Sequence, residues 1–436
     1  MNISILTVFN ELYDSFLCTS LVGRAQEKKL VSIQATSFFS YVEPKERIDA
    51  PTFGPGAGML IKPEVVQKAV EDIEQSRGPA YKIFFSPQGT SLTQRLLQKI
   101  ADRVGRQGHL MVIASRYEGM DARVEQHYAD EIISLGDFVA MGGDLPAMLF
   151  LEGLLRLIPG VVGKQESVAH ESFSGPFVDY PVYTEPVTWQ EYAVPEIVRS
   201  GNHGAIDRWR HEQSAQKTVL EHFNWFRSYP RLTVEEKEFA ARFVPSHYVA
   251  LMHTQVYIGD EHKKGTSSVT SIDIHDGARS CKTYGIKNYF IVTPLQDQQK
   301  IVRKLLDFWM TGFGVEYNKN RCAAVKQTRL CADLQEVIAE ITAQEGCAPV
   351  IVATSAREVQ HQHRVGWHDQ VIVWKEKRPV LFVFGTGKGL IDEVVQQADF
   401  LLDPIEGLSD FNHLSVRTAI GIALDRWLGL VQKDRF

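Results

Sequence analysis

Short apolar runs rich in β-branched and aromatic residues alternate with helical periodicity through the first 160 residues. "ISILTVF", "YKIFFS" and "HLMVIAS" read as strands, while residues 63–75 place Val65, Val66, Ala69, Val70 and Ile73 on one helical stripe. This alternation predicts an α/β domain with a mainly parallel sheet. Between Pro159 and Pro186 the pattern stops, and a stretch rich in Gly, Pro, Ser and Val reads as a long mobile loop of the kind that carries function. Residues 190–242, centred on "WRHEQSAQKTVLEHF", are polar and helix-prone, with too few apolar positions for a large core of their own. A second series starts near Pro245 with "YVALMH", "YFIVTP", "PVIVATS" and "VLFVFG", each followed by a helix-compatible segment; between Asp333 and Gln344, Leu334, Val337, Ile338 and Ile341 share one face. The predicted order is an α/β domain over residues 1–160, a loop over 161–186, a helical domain over 187–243 and a second α/β domain over 244–436.

Composition narrows the setting. The five cysteines stand at scattered spacings with no C-x-x-C pair, which argues against a disulfide framework and a zinc site and for a reducing compartment. The first residues lack a basic n-region followed by an apolar h-region, and no apolar run reaches the length of a membrane span, so a cytoplasmic protein is expected, with no membrane partner. A net charge of −6 is weak grounds against a nucleic-acid partner, because local charge matters more. Lys300, Arg303, Lys304, Lys319, Arg321, Lys326 and Arg329 form a basic island broken only by Asp307 and Glu316.

Candidate chemistry concentrates in four blocks: "SPQG" (86–89), "SRYEGMDARV" (115–124), "SLGDFVAMGGDLPAM" (134–148) and "RLIPGVVG" (156–163). The first three put small residues after strand-like runs, where glycine lets backbone approach a ligand. Loops of that kind at the carboxyl ends of neighbouring strands suit a nucleoside-like ligand held by backbone groups.

In this order the blocks resemble the bacterial tRNA (guanine-N1)-methyltransferase family, TrmD, of the SPOUT superfamily. The resemblance runs from Met1 to about Phe226 and includes "VGRA", "FGPGAGM", "VPEIVRSGNH" and "IDRWR". It implies a SPOUT trefoil-knotted parallel-sheet domain that holds S-adenosylmethionine, methylating N1 of the guanosine immediately 3′ of the tRNA anticodon. The cofactor-binding residues it implies are Phe84, Ser86, Pro87, Gln88 and Gly89 in the first loop, and Ser115, Glu118 and Gly119 in the second. In the third they are Leu135, Gly136, Phe138, Ala140, Gly142, Gly143 and Pro146. Guanine N1 carries a proton at neutral pH, so its methylation needs a base and stabilisation of negative charge on the ring. Arg156 matches the family's catalytic arginine. Glu171 in "HESF" stands where the family has aspartate, with Asp179 a further carboxylate in the same loop. Glu118, His203 and Arg210 are implied as substrate-binding residues. Ser115 replaces the usual glycine before "RYEG", Glu185 replaces a common arginine and "FGPG" replaces "YGGG". The family also implies a homodimer, with Glu171 of one chain opposite Arg156 of its partner, and a magnesium requirement with no dedicated metal ligands identified.

The second half has a glycine loop of its own, "VLFVFGTGKGL" (380–390). It lacks the "GK[ST]" of a P-loop and the order and place of the dinucleotide fingerprint. Together with "TSIDIHDGARSCKTYGIKNYFIVTP" and "LLDPIEGLSDFNHLSVRTAIGIALDRW", it resembles a second SPOUT-type, SAM-dependent RNA methyltransferase-like domain over about residues 248–430. That resemblance implies cofactor contacts from Phe384, Gly385, Thr386, Gly387, Leu402, Ile405, Leu414 and Ser415. It gives the basic island an RNA-facing role and makes Arg279 and Arg417 candidates. His361, His363 and His368 in "HQHRVGWH" lack a carboxylate or cysteine partner and read as solvent-exposed, not metal-ligating. The rival expectation is a non-catalytic RNA-binding protein with degenerate methyltransferase sites.

Overall fold

A computed structural model describes residues 1–55, 58–163, 171–259, 263–312 and 314–431. Gly56 and Ala57 of "FGPGAGM", and residues 164–170 of the loop expected over 161–186, lie outside the described residues. The chain divides into two compact units, Met1–Gly175 and Pro176–Phe436.

The sheet of the first unit has five strands: β1 (Asn2–Thr7), β2 (Ser32–Ser37), β3 (Tyr81–Ser91), β4 (His109–Ile113) and β5 (Glu131–Ser134). They lie in the order β2-β1-β4-β3-β5 with every pairing parallel. Parallel neighbours need crossovers, and helices on both faces supply them. α1 (Pro63–Arg77) begins with proline at its first position, where the missing N–H is no loss, and α2 (Gln94–Gln107) is capped by the Thr93 hydroxyl on Leu96 N. α3 (Ala122–Tyr128) and α4 (Asp144–Leu155) follow.

Alternation along the strands separates the two cores. Ile3, Ile5, Leu110 and Val112 pack with Leu97, Ile100, Phe150 and Leu154 of α2 and α4. Leu6, Phe84, Met111 and Ile113 face Val65, Val66, Ala69, Val70 and Ile73 of α1. The stripe read from residues 63–75 is therefore the buried face of a helix that extends two residues further.

The second unit is built around seven strands: β6 (His247–Met252), β7 (Asn288–Val292), β8 (Thr328–Cys331), β9 (Val350–Thr354), β10 (Arg364–Val365), β11 (Val380–Gly385) and β12 (Phe400–Leu402). Their order is β8-β7-β6-β11-β9-β12-β10, again all parallel. The central strands β6 and β7 are buried at every residue, as expected of a sheet covered on both sides. The polar helical segment does not stand apart from this unit. Val219 of α5 (His203–Glu221), together with Phe223, Phe226 and Ala240, joins the same core as Val249, Phe382 and Trp427. Arg227, buried, donates to the carbonyls of Asp425 and Arg426. Too few apolar residues for a separate core is the physical reason: the segment buries them against the sheet. No helix among the described residues is long and apolar enough to cross a membrane.

One buried histidine ties this core together. His247 Nδ1 donates to the Pro245 carbonyl at 2.6 Å, which leaves Nε2 as the acceptor for two indole N–H groups, Trp374 at 3.3 Å and Trp427 at 3.2 Å. Burial, only partly opposed by the Pro245 bond, lowers its pKa from the ordinary 6.5 to about 4. Between those values the unfolded chain binds a proton that the folded one refuses. The stabilisation is thus complete above pH 6.5 and is lost as pH falls toward 4. We predict that His247 accounts for about 3 kcal/mol of the acid-dependent loss of unfolding free energy over that window. His247→Gln, which keeps an acceptor but cannot ionise, should flatten this part of the profile in denaturant titrations at stepped pH.

Candidate functional sites

In the first unit the predicted loops gather at the carboxyl edge of the sheet. β3 is interrupted there: Phe85 and Thr90 both stand opposite Ile133, so residues 86–89 form a bulge between them. Gly89 is required by close approach, since a Cβ would lie 2.6 Å from the Ile132 backbone. Ser86 Oγ accepts from Gln88 N within the bulge. Phe84, by contrast, turns its ring into the core. The second loop follows β4, with Gly143 N donating to Ser115 O at 2.7 Å and Gly119 N to Arg116 O. Glu118 N donates to Met59 O, and its side chain lies over Gly58, so the "FGPGAGM" segment backs this loop. The third loop is largely exposed: Phe138, Val139 and Met141 are open to solvent, as is Ala140, while Gly143 and Pro146 are buried at the start of α4. Ser134 Oγ donates to Gly136 O; Leu135 and Gly142 are half-buried between these turns.

A residue with no role read from the sequence joins these loops. Asp144, almost completely buried at the first turn of α4, receives Thr7 Oγ1 at 2.5 Å, Tyr13 OH at 3.1 Å and Arg116 Nε at 2.6 Å. Burial and then the Asp144 charge push the Tyr13 hydroxyl well above its usual range, so it stays a donor. The helix N-terminus favours the same carboxylate. Its signal in the sequence is an acidic residue directly after a glycine pair at a helix start, visible only once its partners, up to 137 positions away, are known.

Arg156 stands at the opposite end of α4, as its C-cap, and donates through Nη2 to Glu171 Oε1 of the same chain, whereas the resemblance implied Glu171 of one chain opposite Arg156 of its partner. Gly160, four residues on, lies against Leu30, just before β2 begins. The pair is therefore at the amino edge of the sheet, a helix of 12 residues away from the glycine loops, about 18 Å. Both side chains keep solvent access, at 45% for Arg156 and 31% for Glu171.

In the second unit His203 opens α5, whose cap is the Asn202 carboxamide on Ala205 N, and Arg210 lies over the Tyr180 ring at 4.8 Å with Asp207 at 3.7 Å. Asp179 is exposed. At the carboxyl edge of the seven-stranded sheet is a cavity of about 570 Å³, large enough for a nucleoside-sized ligand. Phe384, Gly385, Thr386, Gly387, Ile405, Leu414 and Ser415 line it; Leu402 is buried in the core. Gly387 adopts φ +61° with the Tyr257 carbonyl 2.7 Å from where a Cβ would sit, so only glycine fits this turn. Arg417 lines the same cavity and pairs with Asp273 at 3.3 Å and Asp276 at 3.7 Å. At the other edge, a groove of about 650 Å³ is lined by Lys282, Lys287, Lys319, Lys326 and Arg329 against one acidic side chain, Glu316. Of the island seen in sequence only Lys319, Lys326 and Arg329 line this groove, joined by Lys282 and Lys287; Lys300, Arg303, Lys304 and Arg321 do not. Lys287 is paired with Glu345 and Arg329 with Glu340. His361 faces the carbonyls of His363 and Ala398, and His368 faces Asn224, so these rings do not converge.

Each unit is a parallel α/β sheet with glycine loops at its carboxyl edge, the architecture of proteins that take nucleotide-like ligands. A family model described as tRNA (Guanine-1)-methyltransferase TrmD matches residues 1–228, and one described as SAM-dependent RNA methyltransferase matches residues 246–429. The chain belongs to the TrmD family. A tRNA (guanine-N(1)-)-methyltransferase of Nitratidesulfovibrio vulgaris is 36% identical over 437 residues, covering 98% of this chain and 99% of its own. The protein of the same name from Bacillus subtilis is 37% identical over 245 residues, 56% of this chain and 99% of its own, so the second α/β sheet lies beyond what that shorter relative contains. A crystal structure of a tRNA methyltransferase from Aquifex aeolicus aligns with 50% of this chain and 92% of its own at 28% identity, with a TM-score of 0.43.

Replacing Asp144 by Asn removes the charge that three donors share and leaves Arg116 facing a neutral group. We predict a loss of about 3 kcal/mol in the unfolding free energy of the first unit, measured by denaturant titration. Calorimetry should show weakened S-adenosylmethionine binding to the same variant.

Proposed function

We propose that this chain is an S-adenosylmethionine-dependent tRNA (guanine-N1)-methyltransferase of the cytoplasm, acting on the guanosine immediately 3′ of the anticodon as a homodimer. The observation that carries the reading is the Arg156–Glu171 pair, a guanidinium beside a carboxylate at one end of α4 with the loop cluster at its other end. In this reading the loops at 86–89, 115–119 and 135–143 hold the methyl donor within a trefoil-knotted sheet, and the donor supplies an electrophilic methyl group. Glu171 takes the N1 proton of guanine as the methyl arrives. Arg156 stabilises the negative charge that builds on the ring, and Glu118 accepts from base N–H groups. His203 and Arg210 contact the tRNA.

The roughly 18 Å between loops and pair is too far for both to act on one base within a chain. A second copy supplies the missing half: the loops of one protomer meet Glu171 and Arg156 of the partner. An exposed apolar strip supports this, with Leu145 and Leu149 on α4 continuing Phe138, Val139 and Met141 of the third loop. Magnesium belongs to the family resemblance; among the described residues no group of three or more His, Cys, Asp or Glu side chains gathers to hold it. The second unit is read as a further methyl-donor site, and its basic groove as a track for RNA phosphates.

Incubation with labelled S-adenosylmethionine and an unmodified tRNA bearing that guanosine should yield N1-methylguanosine on nucleoside analysis. Arg156→Ala should abolish it and Glu171→Gln should reduce it at least about a hundredfold; full activity in both variants contradicts the assigned roles. Replacing Lys282, Lys319 and Lys326 by Ala should lower the slope of log affinity for tRNA against log salt by about 2. An unchanged slope would make the groove an ordinary solvated face.

A further inference from the structure

The cavity of the second unit contains a histidine whose hydrogen-bonding state can be read from its neighbours. His253 follows β6 and is fully buried, yet it lines the cavity beside the glycine loop. The Thr386 hydroxyl gives its one proton to the Met252 carbonyl at 2.9 Å, because a carbonyl can only accept. Ser267 Oγ, 2.6 Å from Thr386 Oγ1, must then be the donor in that contact. With its proton so used, Ser267 can only accept from His253 Nδ1 at 3.1 Å. The chain Met252–Thr386–Ser267–His253 therefore puts the imidazole proton on Nδ1 and leaves Nε2 as a bare lone pair.

That lone pair has no partner among the described residues and no exposure to water. A buried acceptor left unmatched is destabilising, and an apolar side chain would avoid that cost. Burial holds the ring below its ordinary pKa, against the opposing pull of Asp273 and of a backbone hydrogen bond to Ser268, so the lone pair is present at neutral pH. Asp273 is tied to Thr270 and to Arg417. Among the described residues lining the cavity, His253 Nε2 is thus a buried acceptor without a partner, and Arg357 Nε a buried donor without one.

We propose that His253 Nε2 is the fixed acceptor of a ligand site in the second unit, receiving a hydrogen bond from an N–H group of a bound S-adenosyl ligand. This rests on the reading of the second unit as a methyl-donor site. The ligand's ammonium and exocyclic amine are its N–H donors, and both are present in S-adenosylhomocysteine, which can therefore serve as the probe. The two amide replacements of histidine dissect the ring: Asn places its carboxamide near the Nδ1 position and keeps a donor for Ser267, whereas Gln reaches the Nε2 position and keeps an acceptor for the ligand.

Calorimetric titration of the full-length protein with S-adenosylhomocysteine should show two sites per chain. In His253→Asn one of the two should weaken about tenfold or more, and in His253→Gln both should stay within about threefold of wild type. Thermal unfolding of His253→Asn should match wild type, which separates loss of a ligand contact from loss of structure. Two unchanged sites in His253→Asn would overturn the role of His253 and leave the methyl-donor reading standing. A single site per chain in the wild type would overturn that reading, and the proposal with it.

Discussion

The loops of the first unit hang on one buried carboxylate. Asp144 sits where α4 begins and gathers donors from the end of β1, from the turn carrying Tyr13 and from the loop after β4. A charge removed from water so completely is tolerable only with such partners, and losing any of them leaves the rest exposed to the same penalty. Because the partners come from three chain segments, satisfying the carboxylate also fixes the relative positions of the loops. A backbone-lined nucleoside site demands that rigidity, since its ligand contacts are N–H and C=O groups that cannot adjust by changing rotamer.

The same helix that buries Asp144 at one end presents Arg156 at the other. α4 thereby separates Arg156 from the glycine loops by its own length. On the roles proposed for these residues, one chain alone does not bring methyl donor and proton acceptor to one base. The exposed Leu145 and Leu149 on the intervening turns give the helix an apolar face on which a second copy can pack. In the proposed homodimer, two such helices paired in an antiparallel sense would bring each glycine loop to the other chain's arginine and glutamate.

Much of this was legible in the sequence. Apolar stripes at residues 63–75 and 333–344 became helices within two residues of the expected bounds, because parallel sheets bury one face of every covering helix. The loops read from "SPQG", "SRYEG" and "GGDLPAM" lie at one sheet edge. The reason for each glycine was less accessible: Gly89 is dictated by the backbone of the neighbouring strand, and Gly387 by a carbonyl on another turn. Asp144 and His253 carry no local signal for a related reason. Each is ordinary in its local window, and only contacts across long stretches of chain make one a hub and the other an unmatched acceptor. The polar helical segment reads as separable in sequence because its apolar residues are few, and for the same reason they are buried against the second sheet.

The division of the first site between two chains is best tested with a heterodimer purified through two different tags, one protomer carrying Glu118→Ala and the other Arg156→Ala. Each homodimer should be close to inactive in N1-methylguanosine formation. The heterodimer retains one site with intact loops facing an intact pair, and should recover about half of the wild-type rate. A heterodimer as inactive as its parents would mean that loops and pair serve the same chain, and would contradict this account.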